Sequence, residues 1–342
     1  MPKLYDNTRL AAAKTCLRLF YFRHRRHWRR EGTAIPLVFG SAWHEAMDQV
    51  WLHLNAGKPD DEVAQLALIA FDKKWTENGF PGFADWTLDD TARYSPRTPG
   101  IAAEMILQYI KHRGDFIRNV EILAIEAPFA VPLTTDTSPS APLAIGRTDK
   151  VIGLSRPLLG LRAGVWGIEH KTTAWYKKDG GFRSEWTESF SPNSQVDGYN
   201  HQLNMNYENA RGILVDGALV HKTVHDKFKF IPCDRLLEQL DAWLNETLYY
   251  IQQIEENDTN LKTEVESNLF LKEGEKSKFL RAFPKNTESC AGKYMQVCAY
   301  RDICRFNPNP ELLVEPPLGY IEEKWSPFDV LQLEKIGIKP EE

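Results

Sequence analysis

The stretch GIEHKTTAW, residues 167–175, decides the fold. It reads as a strand, with Trp166, Ile168 and Trp175 supplying apolar bulk, yet Glu169 and Lys171 stand two positions apart. Residues i and i+2 of a strand point to the same face. A carboxylate and an ammonium therefore lie side by side where a buried strand would carry Val or Ile, and burial of charge is unfavourable unless it is paired. Such a pair fits a solvent-facing strand edge or a polar site.

Working outward, three consecutive strands are expected over 121–133 (EILAIEAPFAVPL), 142–154 (PLAIGRTDKVIGL) and 164–174. Upstream, FGSAWHEAMDQVWLHL (39–54) has helical spacing, with Ala46, Val50 and Leu54 at i, i+4 and i+8 and Ser41 as its N-cap. Further helices are expected at about 60–77 and 99–118, separated by an irregular excursion over 78–100 that is rich in turn formers. A polar loop, 175–193, leads to a helix at 195–210, a strand at 212–220 and a short one around 227–232. An amphipathic helix over about 234–257 carries Leu237, Leu240, Leu244, Leu248 and Ile251 on one side. This order predicts an α/β chain: a mixed central sheet flanked by helices, with helical additions at both ends.

With 42% apolar and 26% charged residues, the chain has the composition of a globular protein. It has no apolar run of membrane-spanning length and its N-terminus does not read as a signal peptide, so no membrane association and a cytoplasmic location are the default expectations. A net charge of −5 does not advertise nucleic-acid binding. Locally, however, residues 14–30 carry Lys14, Arg18, Arg23, Arg25, Arg26, Arg29 and Arg30 among Phe20, Tyr21, Phe22 and Trp28. Two readings stand for this segment: a solvated basic helix with its aromatics turned inward, or a phosphate-tracking surface with stacking platforms. Five cysteines argue against a disulfide framework in such a protein. Cys290, Cys298 and Cys304 crowd one segment without a nearby His, and either Cys16 or Cys233 is the candidate fourth ligand of a metal centre.

Asp149, in GRTDKV on the second strand, can sit beside Glu169 if these strands pair as a hairpin. Two adjacent carboxylates repel unless a divalent cation lies between them. A hard cation with open positions suits a phosphate and a water together. Lys171 would then offset the anionic site, orient the water or stabilise a pentacovalent phosphate. The plainer alternative is a Glu–Lys pair on an exposed edge. Against it stand the G-x-x-D on the preceding strand, the apolar residues before Glu169, and Thr172 and Thr173 after Lys171.

GRTD followed by IEHKT resembles the signature of the PD-(D/E)XK nuclease superfamily, a restriction-endonuclease-like fold, and more specifically its RecB-like branch. His44 in GSAWHEAM resembles that branch's His on a preceding helix, and Gln195 and Tyr199 in SQVDGYNHQL resemble its Gln-x-x-x-Tyr helix. One Cys before the core and three after it resemble the four-cysteine layout of AddB and of the CRISPR-associated exonucleases, although Cys290 to Cys298 is longer than the usual C-x-x-C. Glu-His-Lys also replaces the commoner Asp-Tyr-Lys. The resemblance implies one nuclease domain over 1–306, with a helical insertion at about 55–120 and a tail over 307–342. It implies Mg²⁺ or Mn²⁺ on His44, Asp149, Glu169 and the His170 backbone carbonyl, with Lys171 assisting the attacking water and Glu126 as a surface or second-sphere carboxylate. It further implies a 4Fe–4S cluster on Cys16, Cys290, Cys298 and Cys304 that staples the N- and C-terminal regions together.

The expected activity is that of a metal-dependent exonuclease on single-stranded DNA or DNA ends, working with recombination, replication or CRISPR proteins. Gln195, Tyr199, Arg23, Arg25 and Arg26 are the candidate DNA contacts, and Gln195, Tyr199 and Gln202 at i, i+4 and i+7 would share one helix face along a DNA groove. Helix capping and packing is the alternative for Gln195 and Tyr199. For the whole chain the alternatives are an endonuclease of the same superfamily, a DNA-binding subunit with a vestigial centre, and a zinc-stapled scaffold.

Overall fold

The computed structural model describes residues 3–32, 34–178, 180–291, 297–324 and 326. The chain opens with β1 (Lys3–Tyr5), α1 (Asn7–Thr15), α2 (Leu17–Phe20), a π-helical turn at Tyr21–Arg25 and β2 (Trp28–Arg30). Helices α3 (Ile35–Asn55), α4 (Asp60–Glu77), α5 (Leu88–Tyr94) and α6 (Pro99–Arg118) follow. Next come β3 (Glu121–Pro132), β4 (Pro142–Leu154), β5 (Gly164–Thr173), α7 (Ser184–Glu188), α8 (Ser194–Asn206), β6 (Ala210–Leu219) and β7 (Phe228–Cys233). The long α9 (Leu237–Leu269), α10 (Arg301–Phe306) and β8 (Tyr320–Glu322) complete the described chain. No helix among the described residues is long and apolar enough to cross a membrane.

The chain divides into two compact units. One comprises residues 33–129 and 147–240, the other residues 1–32, 130–146 and 241–342. The first contains the expected mixed sheet. Strand β4 pairs with β3 and runs antiparallel to β5, β5 is parallel to β6, and β6 is antiparallel to β7. A parallel pair needs a crossover between its strands, and the segment bearing α7 and α8 supplies it. Helices α3, α4 and α6 bury a continuous core around Trp43, Trp51, Phe71, Trp75, Met105 and Ile106, which meets Ile152, Ile168 and Leu214 of the sheet.

Helix α3 begins earlier than expected, at Ile35, and Ser41 lies inside it instead of capping it. Pro36 falls in the first turn, where its missing N–H breaks no helical bond. Val38 and Phe39 extend the buried stripe that continues through Ala42, Trp43, Ala46, Met47, Val50, Trp51 and Leu54. Within the expected irregular excursion, α5 forms because Thr87 and Asp90 make a reciprocal capping box. Helix α9 runs on to Leu269, past the expected end near residue 257. Its last turns continue the helical spacing with Leu261, Val265 and Leu269 at i, i+4 and i+8, and Thr259, Thr263 and Ser267 return side-chain hydrogen bonds to the carbonyls of Glu255, Thr259 and Thr263.

In the second unit β1 adds in parallel to Pro142–Ala144 and β2 pairs antiparallel with β8. Asp6 caps α1, accepting from the N–H groups of Thr8 and Arg9. The basic segment is not one continuous helix. Phe20, Tyr21, Phe22 and Trp28 are all buried, so the inward reading of its aromatics holds and these rings are not stacking platforms. Phe22 stacks on Trp28 and tilts against Tyr300.

Candidate active site

The antiparallel ladder sets Lys150 opposite Ile168. One step further, the same register brings Asp149 opposite Glu169. Strand alternation turns Glu169 and Lys171 to one face of β5 and the His170 side chain to the other. Lys171 Nζ lies 2.5 Å from Glu169 Oε1. Asp149 Oδ2 accepts a 2.8 Å hydrogen bond from the His170 backbone N–H and lies 3.3 Å from His44 Nδ1. His44 Nε2 in turn lies 2.9 Å from the His170 carbonyl oxygen. Residues read from separate segments of the sequence therefore converge on one site.

Glu126 joins them. His44, Glu126 and Asp149 each offer a ligand atom within 4.8 Å of the other two. On β3, Glu126 has φ +50°, a left-handed conformation that is uncommon for a residue with a Cβ and is often kept where function requires it. Its carboxylate ion-pairs with Arg147. Sequence reading gave Glu126 a surface or second-sphere role, because alternation along a strand carries no sign of a residue in the left-handed region.

The charges around the site act on one another. Burial pushes the Asp149 carboxyl up, but His44 and Lys150 outweigh it and hold the group well below the usual carboxylate range. Burial drives Glu169 upward and Asp149 adds to this, against the pull of Lys171 and His44. Burial alone would lower Lys171, but Glu169 and Asp149 more than reverse it, so the side chain stays a cation. Burial likewise lowers His44 and is overcome by Asp149 and Glu169. Burial raises Glu126 to about 7, with Asp48 and Asp149 adding to the effect.

This donor set fits a hard divalent cation. Carboxylate oxygens, one imidazole and a backbone carbonyl suit Mg²⁺ or Mn²⁺. Glu169 Oε2 is also buried without a hydrogen-bond partner, the kind of orphan that an ion or a water relieves. Asp149 raises the proton affinity of Glu169, a repulsion that a cation between them would remove.

Other polar groups hold the site from behind. Lys150, fully buried, donates to Asp48 Oδ1 at 2.7 Å, and Asp48 lies one turn after His44 on α3. Beneath His170, Trp51 Nε1 donates to the Tyr109 hydroxyl, which donates to Asp216 Oδ2. Arg113 completes the set at 3.1 Å from Asp216 Oδ1. None of these residues is marked by a motif in the sequence. The one signal available was the i, i+4 spacing of His44 and Asp48, which places both on one helix face.

Helix α8, N-capped by Asn193, turns Gln195 and Tyr199 toward Glu169. Gln195 Nε2 lies 3.3 Å from both Glu169 Oε1 and the Tyr199 hydroxyl. Tyr199 is buried, and Gln202, also buried, accepts from Thr148 Oγ1. Of the three residues on this face, only Gln195 is part-exposed.

In the other unit the arginines have partners of their own. Arg25 makes two 2.7 Å bonds to Asp258, Arg23 lies 3.6 Å from Glu323, and Arg26 covers the Trp28 ring and bonds the Glu311 carbonyl. Cys16, Cys290, Cys298 and Cys304 belong to this unit, whereas Cys233 belongs to the other. Burial raises the Cys298 thiol, with Cys290 and Cys16 adding to the effect. Burial likewise pushes Cys304 up to about 11, with Cys16 and Cys298 adding to it. Asn286 N–H donates to Cys16 Sγ at 3.3 Å. No three cysteine sulfurs among the described residues lie within 4.8 Å of one another.

No curated protein matches the chain. The family model of the PD-(D/E)XK nuclease superfamily, whose members are metal-dependent, phosphodiester-hydrolysing nucleases, matches residues 7–305, and the chain belongs to that superfamily.

Proposed function

We propose that the protein is a metal-dependent deoxyribonuclease of exonuclease type, acting on single-stranded DNA or DNA ends. The observation that carries this reading is the approach of Lys171 to Glu169 beside Asp149, His44 and Glu126. Mg²⁺ or Mn²⁺ would be held by His44, Asp149, Glu169, Glu126 and the His170 carbonyl. When bound, the ion supplies Lewis acidity at the phosphate and lowers the pKa of a bound water.

The protein's own groups do the rest. Lys171, kept cationic by its two carboxylates, is positioned to orient the attacking water and to stabilise charge developing on the phosphate oxygens. Gln195 holds Glu169 in place and offers the part-exposed amide of this face to the substrate. In the other unit, Cys16, Cys290, Cys298 and Cys304 would carry a 4Fe–4S cluster, a reading supported by their order along the chain and by their falling in one unit.

The test is digestion of end-labelled single- and double-stranded DNA, linear and circular, with Mg²⁺, Mn²⁺ or EDTA, alongside Lys171→Ala. Metal-dependent loss of linear DNA only, absent in the variant, is expected. Cutting of circles would make the protein an endonuclease. DNA binding without cleavage under any condition would make it a binding subunit.

A further inference from the structure

Two loops leave the carboxyl ends of the parallel strands β5 and β6, described over residues 174–178 and 180–183 in the first and 220–227 in the second. They hold two exposed aromatic rings, Trp175 at 42% and Tyr176 at 37% exposure. We infer that these loops form a stacking surface for single-stranded DNA leading to Lys171, an inference that rests on the nuclease reading above.

Both loops are pinned. Trp175 N–H donates to Thr173 Oγ1 at 3.1 Å, and Tyr176 bridges antiparallel to Phe182. Lys177 N–H bonds the Gly181 carbonyl, and Arg183 Nε bonds the Tyr176 carbonyl. The second loop is tied to the first where Val220 N–H bonds the Thr173 carbonyl at 2.7 Å. Tyr176 stands edge-on to the His221 ring, centroids 4.3 Å apart. His221 Nδ1 accepts from the N–H groups of Thr223 and Val224, which fixes that ring. The backbone beneath both rings and the ring of Tyr176 thus have fixed partners, a condition that favours a preorganised contact.

The same segment also has its own interior anchors. Phe182 stacks on Trp186, which meets the buried Phe190 edge-on. Trp186 lies so close to β6 that a Cβ at Gly217 would come within 2.6 Å of it. Phe182, Trp186 and Phe190 close the interior side, while Trp175 and Tyr176 remain outside.

Charge selects the occupant. In a chain of net charge −5, residues 175–183 and 221–227 carry Lys177, Lys178, Arg183, Lys222 and Lys227 against Asp179 and Asp226. Asp226 is paired with Lys227 at 3.1 Å. Exposed flat rings in segments rich in cations suit unpaired bases and their phosphates, and stacking on a ring requires bases that are not already paired. Trp175 lies four residues beyond Lys171, so the chain separates their Cα atoms by no more than about 14 Å.

The experiment measures anisotropy of a 5′-fluorescein dT oligomer and of a labelled duplex, in EDTA, on the full chain. Trp175→Ala and Tyr176→Ala should each weaken dT binding by about tenfold and leave duplex binding within about twofold. Trp175→Phe and Tyr176→Phe, which keep a stacking ring, should bind as the wild type. Lys177→Ala with Lys178→Ala should reduce the slope of log affinity against log salt by about 1.4. Wild-type binding by the Ala variants, in a protein that cleaves DNA, overturns the surface and leaves the nuclease standing. Equal loss on single strand and duplex also overturns it, in favour of general electrostatic attraction. A wild type that neither binds nor cleaves DNA removes the nuclease reading and the surface with it.

Discussion

Lys171 Nζ lies 2.5 Å from Glu169 Oε1, and the pair occupies one face of β5 where Asp149 comes in from β4. Glu169 has 4% of its side chain exposed and Lys171 31%, so the pair opens on the Lys171 side. A group needed only as the phosphate reacts should affect rate more than folding. Lys171→Ala and Glu169→Ala are each expected to lower the cleavage rate by at least about 10²-fold. Their melting temperatures should fall by only a few degrees, because a proton can neutralise the buried carboxylate that remains and the ammonium can reach water. Full activity in either purified variant would sink the proposed mechanism.

Glu126 gives a test that separates metal binding from folding. At φ +50° any side chain strains the backbone, while glycine adopts this conformation freely. Glu126→Gly should therefore be as stable as the wild type or more so, and more stable than Glu126→Ala by about 1 kcal/mol. Both variants should bind Mn²⁺ about 10- to 100-fold more weakly by calorimetry. Unchanged Mn²⁺ affinity in the two variants would leave Glu126 as an ion-pair partner of Arg147 and nothing more.

The sheet was legible because its information is local. The apolar runs and turn residues around β3, β4 and β5 fix those strands to within a residue or so of their expected ends, and alternation alone puts Glu169 beside Lys171. What sequence could not show depends on tertiary contact. Nothing in the sequence marks Lys150, yet it is fully buried on Asp48. The basic segment also admits a surface reading until Phe20, Phe22 and Trp28 are seen to be buried. Asp216, in an apolar strand, is tolerated there only because Tyr109 and Arg113 arrive from a helix more than a hundred residues earlier.

His24 should make stability depend on pH. Burial pushes its imidazole down to about 3, helped by the charges of Arg9, Arg23 and Arg25, and neither ring nitrogen has a hydrogen-bond partner. In the unfolded chain the ring titrates near ~6.5. Between these values the unfolded chain binds more protons than the folded one. Stability is therefore full above ~6.5 and is lost as pH falls toward the folded value, by at most about 5 kcal/mol. Urea unfolding at pH 7, 5 and 4 should show His24→Leu gaining on the wild type as the pH drops. A constant difference across that range would mean that the ring can protonate in place.

Cys304 tests the proposed cluster and the way the chain is closed. Within this unit the N-terminal segment already meets the C-terminal one without iron. Arg18 bonds the carbonyls of Phe283 and Leu280, Asn286 bonds the Thr15 carbonyl, and the Tyr300 hydroxyl bonds the Trp28 carbonyl. A cluster on Cys16, Cys290, Cys298 and Cys304 would add a closure of nearly the whole chain, whose entropy grows with loop length. Anaerobically purified protein should be coloured by sulfur-to-iron charge transfer, whereas a zinc site would be colourless. Cys304→Ala should lose iron and melt about 10 °C lower. Cys233→Ala, altering the cysteine at the end of β7, should keep both iron and colour. Normal iron content with an unchanged melting curve in Cys304→Ala would refute the cluster, and the hydrogen bonds from Arg18, Asn286 and Tyr300 would then account for the closure alone.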